Sequence, residues 1–462
     1  MKAVVARSAL DERWSWGRQE RAATPRSALA TLAPRPASYD PVARLRRQGE
    51  HRVAQLLPLR YQRMLESPLA FYRGGALLMA EDLARGPNSS IVVQIAGDAH
   101  LSNFGIFSSP ERRLVFDVND FDETDEGPFE WDVKRLATSL AIASEQLGGD
   151  EVQQSAVVLG AAKEYQRSIR RFAQESRLDV WYASLDVERI LVELRGFFTD
   201  SALRDVGDVI RRAKSKESTQ AFNEMITHTE TGPRIAYRPP FISALDPDGD
   251  GSLSTRDLID DVLVGYRATL GSDRQRLVDQ FTPVDAARKV VGVGSVGTDD
   301  FIILLTGRDN DDPFFLQVKQ AQASVVSMAR GVARDVAHGE RVVSGQKLMQ
   351  ATPDEFLGWH TTRAGDLERS FYVRQLYDNR ASVKIAALSE LQLQAYGRVC
   401  AWVLARAHAR SGSGAQIAGY LGSNETFAHA MTGFALAYRD QNLADYQALA
   451  RAAKEGRITV AS

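Results

Sequence analysis

The chain has 462 residues, of which 44% are hydrophobic and 25% charged, with a formal net charge of −2 and one cysteine. That length and composition fit an ordinary soluble protein with a sizeable core in one bilobal unit or in two or three domains, and the near-neutral balance gives no reason to expect nucleic acid or an acidic membrane as partner. Cys400 alone excludes an intramolecular disulfide or a thiolate metal cluster, no apolar run approaches the roughly 20 residues that span a bilayer, and the charged N-terminus lacks an export segment, so a cytoplasmic location is expected.

In chain order, residues 1–40 carry scattered charge and Pro25, Pro34 and Pro36, and are expected to form a flexible lead. Apolar residues then recur at helical spacing from Pro41 to Ala84 around a Ser67-Pro68 break. Ile91–Ile95 reads as a buried strand with Arg113–Val118 as its partner. Trp131–Leu147 is helical, as is most of 150–280. A β-rich block follows from Lys289 to about Tyr377, then helices from Leu388 to Ala453. The pattern predicts an α+β fold in three parts. Residues 41–285 form a helical lobe, 286–378 a β-rich lobe, and 379–462 helices that complete the first lobe.

The residues with the most chemical content lie in Gly97-Asp98-Ala99-His100-Leu101-Ser102-Asn103, then Asp117-Val118-Asn119-Asp120-Phe121-Asp122, then Trp131-Asp132. An Asp, an Asn five positions later and a strand ending in clustered Asp is the layout of a phosphoryl-transfer site. Asp98 is placed to accept a proton from a substrate hydroxyl or to orient it. Asn103, Asp120 and Asp122 form a magnesium set, since magnesium takes one or two carboxylates together with substrate phosphates. Crowding Asp98, Asp117, Asp120 and Asp122 is costly without a cation, which favours a metal over a purely structural role. His100 reads as a structural histidine before an orienter of Asp98, and Asp132 as a brace for the loop. The acidic run Asp122, Glu123, Asp125, Glu126 and Glu130 would draw in a cationic small molecule; a solvated loop explains it nearly as well. Arg60, Arg63 and Arg73 flank the Ser67-Pro68 break and could reach an anionic group, though surface cations on helices need no such role and that reading comes first.

A second motif, Gly292-Val293-Gly294-Ser295-Val296-Gly297, is followed by the apolar run Phe301–Leu305 rather than by a helix. A dinucleotide fold needs a helix there, so the glycines are expected in a hairpin whose amides cover nucleotide phosphates. The next strand ends at Lys319, where a kinase carries its phosphate-pairing lysine, and Glu340 on a helix at Ala337–Met349 is the carboxylate expected to hold it, with Asp335 as competitor. A third motif, 246–257, matches a calcium loop through Asp246, Asp248, Asp250 and Asp257. Its last ligand is Asp rather than Glu, and Arg238-Pro239-Pro240 makes a poor incoming helix. An acidic surface turn is the alternative there.

The Asp98/Asn103/Asp120/Asp132 layout resembles aminoglycoside and choline phosphotransferases, with Ala96 in place of the leading His of their loop. More closely, the chain from about Leu56 to Tyr446 resembles the bacterial domain-of-unknown-function family 2252, on runs such as Ser67–Gly74, Gly97–Gly105, Asn119–Thr124, Val290–Thr298 and Arg341–Gln346. The kinase-like resemblance implies a bilobal protein-kinase-like fold using ATP and magnesium on a small hydroxyl- or amine-bearing acceptor. In ordinary kinases the Gly-rich loop precedes the catalytic loop; here it follows by nearly 200 residues, which implies a circular permutation. AMP transfer on the same scaffold and non-catalytic nucleotide binding are the rival readings.

Overall fold

The computed structural model describes residues 2–50, 52–187, 225–230, 232–239, 241–245, 255–290, 297–364, 367–376 and 383–461. Four short strands come early: β1 (Val92–Ile95), β2 (Phe104–Ser108), β3 (Leu114–Val118) and β4 (Asp125–Pro128). β1 pairs with β4 and β2 with β3, all antiparallel. The expected pairing of Ile91–Ile95 with Arg113–Val118 is therefore wrong. Phe104–Ser108 lies only a tight turn away from Leu114 and takes β3 as a hairpin, with Arg112 at φ 61° in that turn. Periodicity says which residues are extended, not which strands meet.

The hairpin of β5 (Ile226–Thr229) and β6 (Gly232–Ile235) leads to a six-stranded antiparallel sheet. Its members are β7 (Ile242–Ser243), β8 (Thr282–Lys289), β9 (Asp300–Thr306), β10 (Pro313–Ala321), β11 (Gly358–Ala364) and β12 (Leu367–Gln375). Their spatial order is β11-β12-β10-β9-β8-β7. The fold is thus mixed α+β, and the sheet begins before the expected boundary at residue 286. The unbroken apolar run in β9 follows from cover on both faces. Phe301, Ile303 and Leu305 pack with Ile259, Val262 and Tyr266 of the helix Thr255–Ala268, while Ile302 and Leu304 pack with Ile226 and Ile235 of the β5–β6 hairpin.

The helical body centres on Phe129–Gln146, Glu151–Phe172, Glu390–His408 and Thr426–Lys454, which pack on one another around the main core. Two of them open on reciprocal caps. Asp150 and Gln153 make a reciprocal cap at one N-terminus, and Ser389 and Gln392 do the same at another. Ser67 caps Pro68–Gly74 by accepting from the Ala70 amide at 3.1 Å, which accounts for the break between helices there.

The N-terminal stretch is not a loose lead. Lys2–Ala23 is a helix, and it packs on Gly414–Leu421. The approach is close because Gly17 and Gly419 stand at the crossing, where a Cβ would strike the backbone of Gln416 or Trp14. Arg35 then forks onto Asp82 (2.6 Å) and Asp445 (2.6 Å). The prolines that suggested disorder lie after the helix, in a segment pinned by this charge network. Among the described residues no helix is long and apolar enough to cross a membrane.

Candidate functional site

β1 runs into the loop Ala96–Asn103, and the shape of that loop is imposed by the helix Phe129–Gln146. Asp132 accepts from the amides of Ala96 (2.7 Å) and Gly97 (2.9 Å), and Ser139 Oγ accepts from the Leu101 amide (2.9 Å). Asp132 is itself backed by His408 Nε2 at 3.3 Å, whose Nδ1 meets the Tyr165 hydroxyl at 2.7 Å. Gly97 has φ +76°, and a Cβ there would run into the Glu123 carbonyl, so the turn needs glycine on both counts. Asp98 then projects into the cleft with its Oδ1 held by Arg135 Nε at 2.7 Å. Arg135 in turn donates to the Tyr72 carbonyl (2.7 Å) and lies over the Tyr72 ring (3.9 Å). Asn103 Nδ2 donates to the Asp98 carbonyl at 2.8 Å, which fixes the side-chain amide.

His100 is buried, and loss of water, reinforced by Arg135 and Arg73, holds its pKa well below the usual histidine value. It is therefore neutral. Its Nδ1 accepts from the Ser102 amide at 3.2 Å, while Nε2 lies 3.7 Å from Asp98 Oδ2, too far for a strong hydrogen bond. It shapes the loop more than it holds the carboxylate.

Behind the Asp-rich tip, β10 delivers Lys319, which is 3% exposed. Its Nζ lies 2.6 Å from Asp122 Oδ2 and 4.0 Å from Asp120 Oδ1, with the Tyr372 ring 5.3 Å away. Strand register explains the company: Lys319 stands opposite Tyr372 on β12 and Asp300 on β9. Burial alone would lower the lysine pKa, but Asp122 and then Asp120 overcome it and the ammonium stays charged. For Asp122, burial pulls the carboxylate up and Lys319 pulls it further down, so it ends below the ordinary range. Asp120 ends above its ordinary range, first through loss of water and then through the Asp122 charge.

Burial pushes Asp300 up to about 7 from an ordinary 3.8. The native chain keeps a proton there that the unfolded chain has released, so this group's contribution to stability is full at or below pH of about 4 and is lost as pH rises towards about 7. Asp300→Asn removes that group, and the variant is expected to gain stability relative to the parent across that window. Urea midpoints measured at several pH values check it; a constant difference would contradict the assignment.

The crowding argument for a cation does not survive intact. Asp117 is bonded to Arg406 Nη2 at 2.6 Å and accepts from the Val118 amide at 2.8 Å. Asp98 has Arg135 and Asp122 has Lys319, so three of the four carboxylates carry their own cation. Among the described residues no group of three or more His, Cys, Asp or Glu side chains is arranged to hold a metal. Asn103, Asp120 and Asp122 would supply only part of a coordination shell.

Glu340 does not hold Lys319; the ion pairs of that lysine among the described residues go to Asp122 and Asp120. The helix His338–Met349 is formed as expected, but it contributes Arg341, which donates to the carbonyls of Asp122 (2.8 Å), Thr124 and Gln322 (3.0 Å). Asp335 is exposed. The loop between β8 and β9 joins antiparallel strands, as a phosphate-covering hairpin requires. Gly292, Gly294 and Ser295 lie outside the described residues; Gly297 has φ +92° and accepts from the Val53 amide at 2.7 Å. Asp246, Asp248 and Asp250 also lie outside them. Asp257 opens the helix Thr255–Ala268, but the segment ahead of the motif contributes β7 to the sheet rather than an incoming helix.

The acidic run is mostly committed to the fold. Glu123 accepts from the Val325 amide (2.7 Å), Asp125 and Glu126 pair with Arg334 (2.6 and 3.0 Å), and buried Glu130 accepts from the Ser89 hydroxyl (2.8 Å). The arginines also depart from expectation. Asp98, Asn103, Asp120 and Asp122 share a cleft of about 880 Å³, counted to its open mouth, with Arg52, Arg60 and Arg73. Arg60 is 1% exposed rather than a surface cation. Arg63 instead lies 5.7 Å from the Phe241 ring. Sequence reasoning missed Arg135, Tyr372, Arg341 and Arg406, because an arginine or tyrosine on a regular element carries no mark of what it will face.

No curated protein and no solved structure matches the chain. A family model does, over residues 52–452, and its description is an uncharacterized protein conserved in bacteria. On that match, which spans most of its length, the chain belongs to the DUF2252 family.

Proposed function

We propose that this chain is a kinase-like phosphotransferase in permuted order, using ATP and magnesium on a small hydroxyl- or amine-bearing molecule. The observation that carries the reading is the meeting of Lys319 with Asp122 and Asp120 at 2.6 and 4.0 Å, two carboxylates that line one cleft with Asp98 and Asn103. These groups are nearly 200 residues apart in sequence, and the spacing of motifs alone does not demand their contact. Chain order adds support. A glycine-bearing hairpin, a lysine strand, a helix and two further strands follow one another from β8 to β12, as in the nucleotide lobe of kinases. The C-terminal helix Glu390–His408 returns to the catalytic loop, where Tyr396 donates to the Leu101 carbonyl at 2.8 Å.

Under this reading Lys319 pairs with nucleotide phosphates, and the glycine-rich turn, including Gly292, Gly294, Ser295 and Gly297, lies over them. Asn103, Asp120 and Asp122 would hold magnesium, which neutralises charge on the phosphates when bound. The partial ligand set fits that ion, because phosphate oxygens and water complete its shell. Asp98, steadied by Arg135, orients the acceptor and takes its proton. Asp132 and Gly97 keep the loop in the form that aims Asp98. The rival AMP transfer would use the same cleft, and the mass added to a product separates the two.

Lys319→Ala is expected to weaken magnesium-ATP binding by about tenfold or more, the scale of a lost charge-assisted contact. Glu340→Ala is expected to leave affinity within about twofold, because Asp122 and not Glu340 positions the lysine. Titration calorimetry reads both; equal affinities for parent and Lys319→Ala would sink the assignment.

A further inference from the structure

The cleft has a second charged wall, of arginines, to which the reading above gives neither nucleotide nor metal. Arg60 sits on the helix Leu57–Met64 and Arg73 in the last turn of Pro68–Gly74, both facing the cleft that Asp98 lines. Arg60 is 1% exposed, yet only its Nη2 is engaged, with Gln48 Oε1 at 2.8 Å and the Gly74 carbonyl at 3.1 Å. Among the described residues its Nε and Nη1 are buried with no acceptor, and Arg73 Nε is in the same state. Buried guanidinium donors left this way are costly unless an anion enters. Among the described residues no carboxylate of the cleft bonds these donors: Asp98 is taken by Arg135, Asp122 by Lys319, Asp120 faces Lys319 at 4.0 Å and acts on Arg73 only through its charge, and Glu123 has its Oε2 on the Val325 amide. Burial, with Arg52 adding repulsion, pushes Arg60 down to about 9, the direction that a bound anion would reverse.

We infer that Arg60 and Arg73 form an anion subsite on the helical wall of the cleft, and that it receives a phosphate or carboxylate group of the acceptor. The acceptor is then an anionic small molecule that carries its reactive hydroxyl or amine near Asp98. This replaces the expectation of a cationic molecule, whose motive was an acidic run now seen to be bonded within the fold. A planar fork meeting a tetrahedral or trigonal oxyanion also sets orientation, which a single surface lysine would not. The assignment of the anion to the acceptor rests on the phosphotransferase reading; the orphaned donors do not.

The test is calorimetric titration of the full chain with inorganic phosphate, alone and with a saturating non-hydrolysable ATP analogue and magnesium. Phosphate is expected to bind in both conditions. Arg73→Gln is expected to weaken it by about tenfold or more while leaving nucleotide affinity within about threefold. Because Arg60 also ties Gly74 and Gln48, its variant is Arg60→Lys, which keeps the charge but loses the fork and should give a smaller loss in the same direction; circular dichroism confirms that both variants are folded. Phosphate that fails to bind the parent, or binds both variants as tightly as the parent, overturns the subsite. Phosphate expelled by the ATP analogue also overturns it, because the arginines would then serve the nucleotide. If phosphate binds and the variants lose it while no nucleotide binds at all, the subsite stands and the phosphotransferase reading falls.

Discussion

Asp98→Asn is expected to lower ATP turnover by about 10²–10⁴-fold, the usual worth of a positioned proton acceptor. The substitution keeps the shape of the side chain and one acceptor for Arg135, so the loop built on Asp132 should persist. Nucleotide affinity is therefore expected to change little, and the loss should fall in the rate rather than in binding. Turnover that is unchanged by the variant would remove Asp98 from the chemistry. A parent protein that binds nucleotide but turns none over would favour a non-catalytic, sensing role for the same cleft.

Arg406→Met is expected to destabilise the protein by about 3–5 kcal/mol, read as a shift in urea unfolding. Arg406 and Asp117 are both buried, at 1% and 3% side-chain exposure, and lie 2.6 Å apart. Removing the cation leaves a carboxylate in the core with, among the described residues, the Val118 and Ala351 amides to stabilise it. The double variant Arg406→Met, Asp117→Asn should recover much of the loss, because the uncompensated charge is gone. The pair joins the helix Glu390–His408 to β3, just ahead of Asp120. A small effect in the single variant would show that the strand bearing the acidic tip does not depend on this pair.

What could be read from the sequence follows the physics of each element. β9 and β10 were legible because both faces of the sheet are covered and their apolar runs are continuous. The helices from Glu390 onward were legible through their periodicity. β4 was not, since Asp125-Glu126-Gly127-Pro128 has little intrinsic preference for a strand and is extended only because β1 pairs with it. Spacing picked out Asp98, Asn103, Asp120 and Lys319; the first three line one cleft, and Lys319 reaches it only through Asp122 and Asp120. The partner of Lys319 was not found, because strand register and the reach of the Asp120–Asp122 tip choose it, and neither is written locally. Arg60 was misjudged for a related reason: arginine is seldom fully buried, and only the turn at Ser67-Pro68 brings two such helices against the cleft.

The whole account depends on the sheet and the Asp-rich tip forming one nucleotide and magnesium site. Thermal unfolding of the parent chain with ATP, with and without magnesium, tests this most directly. A ligand at about 100 times its dissociation constant adds roughly 2.7 kcal/mol. A shift of that scale is expected with ATP and magnesium together, reduced without the metal and reduced again in Asp120→Asn. No shift with any nucleotide, or one indifferent to both magnesium and Asp120, would contradict it.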